Sequence, residues 1–342
     1  MCYESFGDRV KFWITINEPQ VVANQGYGHG WMAPGIKGEE WRARYNTVRA
    51  HTRAYHIYVD EFKEKQGGVC GITLNCDWYE PKTDSEADRN AAQLQMDLQL
   101  GFWADPIFAT GDYPDSMKRV LGEKLPRFTP EEIEANKGSS DFFGLNHYTA
   151  RILEPCDGGH GDLGGHCDHV FQIRSTTCSL WPTSGSSWLY SVPWAFRRLL
   201  KYIHDTYDSQ KYPIYHTENG ISSRDNGTDF KPELNDQWRI DHYRSVIGQM
   251  HRAIYEDKVN IKQYTAWSLF DNFEWAKGYS ERFGLIWVNF TDPERQVFWK
   301  DSAKYYKTIV LNNTVEGSSS SALRRTSILS FILGIMLTGF FC

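Results

Sequence analysis

Two features of the sequence predict an α/β fold built on a parallel sheet. Strand-type and helix-type patterns alternate along the whole 342-residue chain, as they do in repeated βα units. Two of the strand-type runs carry a glutamate at the tip: Trp13-Ile14-Thr15-Ile16-Asn17-Glu18-Pro19 and Pro213-Ile214-Tyr215-His216-Thr217-Glu218-Asn219-Gly220. Active residues at the C-terminal tips of several parallel strands argue for a TIM (β/α)8 barrel. Only five strand signals can be counted, at Phe12, Val69, Asp141, Pro213 and Ile261, so the predicted barrel is incomplete, with two open edges.

In the first run Phe12, Ile14, Ile16 and Glu18 share one face at period two. It reads as a buried strand, which Pro19 ends because it has no N–H for the ladder. A carboxylate at such a tip is costly to bury without a partner or a task. Residues 26–38, rich in Gly, read as a loop over a cleft mouth. Residues 40–65 read as a helix and residues 69–76 as the second strand; Ala87, Ala91, Leu94 and Leu98 then recur at helical spacing. Residues 141–148 form the third strand. The Gly- and Cys-rich residues 156–187 are long enough to predict a lid or a disordered loop. Pro193 suits a first helical position, and Phe196, Leu199, Leu200 and Ile203 make the stripe behind it. The Glu218 strand follows, where alternation puts His216 on the Glu218 face as a core histidine. Tyr243, Val246, Ile247, Met250 and Ile254 mark another amphipathic helix. Residues 261–269 are the last strand and 302–311 the last helix.

Composition narrows the function classes. The net charge is −6, with no basic run long enough to follow a phosphate backbone, so nucleic acid is excluded as a partner. Aromatic residues make up 15% of the chain, 13 of them Trp, which suits a surface that packs on sugar C–H faces as well as an aromatic core. The seven Cys show no metal-ligand spacing, so no metal or cofactor is expected. One disulfide among Cys156, Cys167 and Cys178 is possible by proximity, with the pairing open. Residues 1–11 lack the apolar stretch of a signal peptide. Residues 1–311 read as one partial barrel domain, 312–326 as a polar spacer and 327–342 as an apolar tail. Small residues, a polar spacer and a terminal apolar run fit a GPI-attachment signal better than a single membrane span, so a cell-surface location is expected. Sequons at Asn226, Asn289 and Asn312 are compatible with that route.

Asn17-Glu18-Pro19 and Thr217-Glu218-Asn219-Gly220, about 200 residues apart, resemble the two signature motifs of glycoside hydrolase family 1, the β-glucosidases and lactases. Gly144-Leu145-Asn146-His147-Tyr148-Thr149 and the run from Trp267 to Trp275 resemble further motifs of that family. The likeness runs from Phe6 to about Leu311 and is nearest to the animal lactase-phlorizin hydrolase and lactase-like branch. It implies barrel strands four to eight and an N-terminally truncated chain. The family's glycone-binding Gln, His and Trp, and an Arg near the nucleophile, would belong to strands one to three.

The resemblance also implies roles. Glu18 becomes the general acid/base and Glu218 the nucleophile of a retaining β-glycosidase acting on β-D-glucosides or β-D-galactosides. Asn17 would donate to the sugar 2-hydroxyl, and Tyr148 would hold Glu218 ionised. Asn146, Glu274, Trp275, Trp267 as a stacking floor and Phe283 as a wall would bind substrate. The alternatives are a klotho-like binding protein that keeps the fold without the chemistry, and an inactive truncated product. Retention of both Glu18 and Glu218 speaks for the enzyme.

Overall fold

The computed structural model describes residues 1–156, 166–168, 170–225 and 231–315. The apolar tail and the Asn226 sequon lie outside them. Five strands, β1 (Phe12–Asn17), β2 (Val69–Asn75), β3 (Phe143–Asn146), β4 (Ile214–Asn219) and β5 (Ile261–Ala266), form one sheet in sequence order. Every neighbouring pair is parallel. The connections carry α1 (Glu40–Ile57), α2 (Glu86–Met96), α3 (Pro193–Tyr207) and α4 (Gln237–Tyr255), and α5 (Asp301–Asn312) follows β5. This is a partial barrel, as the alternation predicts.

Strand residues Ile72, Leu74, Phe143, Leu145 and Ile214 point to the helix layer and are at most 2% exposed. They pack in one cluster with Val48, Phe196, Leu199, Ile203 and Val246 of the helices. Burying each such side chain contributes roughly 1.5–3 kcal/mol. The stripe on α3 follows the 3.6-residue period, with Pro193 at its first turn.

The sheet is strongly curled. The rings of Phe12 on β1 and Tyr215 on β4 are 4.9 Å apart, whereas strands three places apart in a flat sheet would be separated by about 14 Å. The arc presses the Phe142 ring against β2, where a Cβ on Gly71 would lie 2.8 Å from ring carbons. Only Gly fits there.

As the count of five strands predicts, β1 is an edge strand of the described sheet. Four expectations change. Ile14, read on a buried face, is exposed, and β1 is only half-buried. Residues 22–28, partly assigned to a loop, form a wide helical turn. Within 156–187, strands His166–Asp168 and Ile173–Thr176 join Ala150–Pro155 and Trp78–Pro81 in a second, four-stranded sheet. Cys156 and Cys178 are both disulfide-bonded. Finally, the packed domain reaches Val315, which is buried against Tyr243, Ile247, Leu285 and Ala303. Among the described residues no helix is long and apolar enough to cross a membrane.

Candidate active site

Both carboxylates stand where a strand breaks its period. β1 and β2 pair Ile14 with Gly71 and Asn17 with Thr73, so the register slips just before the tip. The Glu18 N–H still bonds Thr73 O at 3.0 Å, but its backbone is left-handed, with φ 50° and ψ 59°. That conformation costs a non-glycine residue about 1–3 kcal/mol. Pro19 then opens a helical turn, whose Val21 N–H returns to Glu18 O. The consequence is that Asn17 and Glu18, though consecutive, both address the same cleft.

β4 does the same by a bulge. Leu145 pairs with His216 and Asn146 with Glu218, two residues of β4 against one of β3. Thr217 and Glu218 therefore both serve the cleft, and His216 does not share their face. Its ring lies 4.5 Å from Phe196 on α3 and 5.1 Å from Tyr264 on β5, fully buried in the helix layer. Burial holds its pKa well below 6.5. Strict alternation cannot foresee this reversal, because a bulge shifts every later side chain by one position.

A chain of amides joins the two acids. Asn146 Nδ2 donates to Glu18 Oε1 at 2.8 Å and to Asn17 Oδ1 at 3.1 Å. Asn17 Nδ2 donates to Glu218 Oε1 at 3.2 Å, and Tyr148 O–H to Glu218 Oε2 at 2.9 Å. Thr217 O–H donates to Asn146 Oδ1 at 2.6 Å, which fixes the amide with its N–H groups toward Glu18 and Asn17. Thr217 is a site residue that motif reading passed over.

The environments of the two acids differ. Glu18 is pushed up to about 7, first by burial and then by the charge of Glu218, with the Asn146 bond opposing. Glu218 is also raised by burial, but donors from Tyr148, Asn17 and Asn146 pull it back. The acid with more donors is the better-stabilised carboxylate. Tyr148 itself is driven well above 10 by burial and by Glu218, so it stays a donor.

The remaining expected residues follow β5. Trp267 Nε1 donates to Glu274 Oε1 at 3.1 Å. Glu274 is 6% exposed and pushed up to about 7, chiefly by burial. Trp275 is not drawn in: it is 53% exposed, and its indole N–H makes no hydrogen bond among the described residues. Phe283 is buried with Leu189 and Ile221 behind Tyr148 and Trp267, so it backs the wall more than it lines it.

A buried charge lock secures this loop. Asp271 accepts from Arg282 at 2.8 Å, from Lys300 at 3.0 Å and from the Gly284 N–H at 2.9 Å. All three residues are at most 4% exposed. Asp271 lies inside the Trp267–Trp275 run, yet nothing in the sequence separates it from a solvated acid. Among the described residues, no three His, Cys, Asp or Glu converge as a metal site.

The family model described as "Glycosyl hydrolase family 1" matches residues 1–315. The chain belongs to glycosyl hydrolase family 1. Among its curated members, the lactase/phlorizin hydrolase of Rattus norvegicus is 42% identical over 91% of this chain and 16% of its own length. The lactase-like protein of Homo sapiens is 41% identical over 92% of this chain, which spans 56% of that relative. The chain thus covers about half or less of these two family members. Of the solved family structures, a rice β-glucosidase superposes with a TM-score of 0.83 at 35% identity, covering 90% of this chain and 67% of the rice chain. A β-glucosidase from the fungus Humicola insolens, in complex with glucose, gives 0.82 at 36% identity, covering 89% and 66%.

Proposed function

We propose that this chain carries the acid/base and the nucleophile of a retaining β-glycosidase that hydrolyses terminal β-D-glucosides or β-D-galactosides. The observation that carries the reading is the unequal support of two carboxylates in one network. Glu218 accepts from Tyr148 and Asn17, while Glu18 takes one bond from Asn146 and is pushed toward neutrality. Paired acids with divergent environments divide into acid and nucleophile.

In the first step Glu218 attacks the anomeric carbon as Glu18 gives its proton to the departing oxygen, and a glycosyl ester forms. Esterification removes the Glu218 charge that helped to hold Glu18 protonated. Glu18 then ionises, takes a proton from water and directs it to the same carbon, releasing the sugar with its configuration kept. Asn17 is free to pass its amide from Glu218 to the sugar 2-hydroxyl, and Glu274 offers a carboxylate to the sugar hydroxyls. The relatives' names, β-glucosidase and lactase, support this substrate class.

The test is proton NMR of hydrolysis of nitrophenyl β-D-glucoside and β-D-galactoside. The β-anomer should appear first and mutarotate afterwards. First release of the α-anomer would overturn the double displacement, and no release from either sugar would overturn the activity.

A further inference from the structure

The hairpin beyond the active-site loop carries a feature that catalysis does not use. Strands Ile286–Val288 and Val297–Trp299 pair antiparallel, and the turn between them begins with Asn289-Phe290-Thr291, an Asn-X-Thr acceptor sequence. Asn289 Oδ1 accepts both the Thr291 O–H at 2.8 Å and the Thr291 N–H at 3.1 Å. Its Nδ2 makes no hydrogen bond among the described residues and is not among their buried unpartnered atoms. Asn289 is partly exposed, and Thr291 and the turn from Glu294 to Val297 beside it are exposed, so its amide borders open surface. The turn needs no tertiary partner for these bonds, since both lie within three residues. The same geometry is therefore open to the chain before it folds.

A second, independent observation bears on the compartment. Cys156 and Cys178 are disulfide-bonded, and disulfides form and persist along the secretory route. The enzyme that glycosylates Asn-X-Thr works on that same route.

We infer that Asn289 is an N-glycan attachment site. The transfer uses a lipid diphosphate-linked oligosaccharide as donor. Asn289 Nδ2 forms the bond to the anomeric carbon, the bond from that carbon to the diphosphate oxygen breaks, one amide proton goes to a base and the lipid diphosphate leaves. The site is independent of the catalytic reading, because Asn289 touches none of the groups around Glu18 and Glu218. The other described sequon, at Asn312, begins on the last residue of α5 and serves as an internal comparison.

The experiment sends the full 342-residue chain into the secretory pathway of cultured cells behind an added signal sequence. Lysate and medium are both treated with peptide-N-glycosidase in 18O-water, and the deamidated positions are mapped by mass spectrometry. The expected result is 18O-aspartate at position 289, lost in Asn289→Gln and Thr291→Ala and kept in Thr291→Ser. Reading the lysate makes the outcome independent of whether a variant folds well enough to be secreted. An unmodified 289 peptide alongside a modified Asn312 peptide would overturn the inference. So would a chain in which neither position is modified.

Discussion

Asn17 donates its amide to Glu218 across the mouth of the sheet, a 3.2 Å bond between the first and the fourth strand. In a flat sheet those positions would be about 14 Å apart. The bond is therefore a product of curvature, and it makes the two signature segments a single unit. Asn146, on the third strand, completes it by bonding Asn17 and Glu18 together.

The unit predicts different fates for its two acids. Glu218→Gly should abolish hydrolysis by roughly four to six powers of ten, as loss of a concerted group does. Added azide should then yield the α-glycosyl azide by direct displacement. Glu18→Ala with azide should yield the β-azide, since the glycosyl ester on Glu218 still forms and is then intercepted. Product stereochemistry by NMR checks both, and the opposite pair of products would exchange the roles of Glu18 and Glu218.

Tyr148→Phe removes one of the donors that hold Glu218 as a carboxylate. The Glu218 pKa should rise, so the acid limb of the kcat/KM profile should move to higher pH. A hydrogen bond to a charged group contributes about 1.5–3 kcal/mol, which corresponds to a loss of roughly 10–100-fold on the acid side of that limb and little loss at the plateau. The basic limb, set by Glu18 near 7, should stay where it is. Movement of the basic limb alone would show that Tyr148 does not act through Glu218.

The fold class, the strand order and the placing of Glu18 and Glu218 at strand tips are legible in the sequence because each rests on a local pattern. Alternation of βα units gives the parallel sheet, and a glutamate at a strand tip needs only its neighbours to be recognised. What alternation misplaced was His216, because the extra residue at Thr217 depends on pairing with β3 and leaves no mark on β4 alone. The sheet formed by Ile173–Thr176 and His166–Asp168 was missed for a similar reason. Its strands are three and four residues long and lie in a Gly-rich stretch, where composition points to a loop. Strand pattern puts Ile14 on a buried face because it says which face is apolar, not whether anything covers it.

Asp271→Asn should be among the most damaging substitutions outside the acids themselves. It leaves Lys300 and one side of Arg282 without their shared charge in a dry environment, where Lys300 is already pushed down to about 8 by burial. Breaking a buried pair from one side costs about 3–5 kcal/mol. A melting midpoint lowered by several degrees is expected. The loop bearing Glu274 loses its anchor, so KM should rise more than kcat falls. An unchanged midpoint would mean that the lock contributes nothing to the fold.

The raised acids also make stability depend on pH in a set direction. Glu18 and Glu274 both titrate near 7 in the folded protein, above their ordinary 4.5, chiefly because burial disfavours the charge. Between those values the folded chain holds protons that the unfolded chain has released, so stability falls as pH rises. Their contribution is intact below about 4.5 and lost once pH passes about 7. Asp105 adds to the trend, pushed up to about 6 by burial, while the buried His51, His147, His216 and His242, all held below 6.5 by burial, oppose it over the same range; Glu256 and Asp257, pulled down by Arg252 and Arg197, act with that opposite sign only below their ordinary values. The raw slope is therefore a sum, and the clean measurement is a difference. Glu18→Gln and Glu274→Gln replace a titrating acid by a neutral amide of the same shape. Each should raise the melting midpoint at pH 8 relative to the parent while changing it little at pH 4.5. Calorimetry or dye-monitored melting at the two pH values decides it. Equal shifts at both would place the effect in packing and remove the ionisation argument.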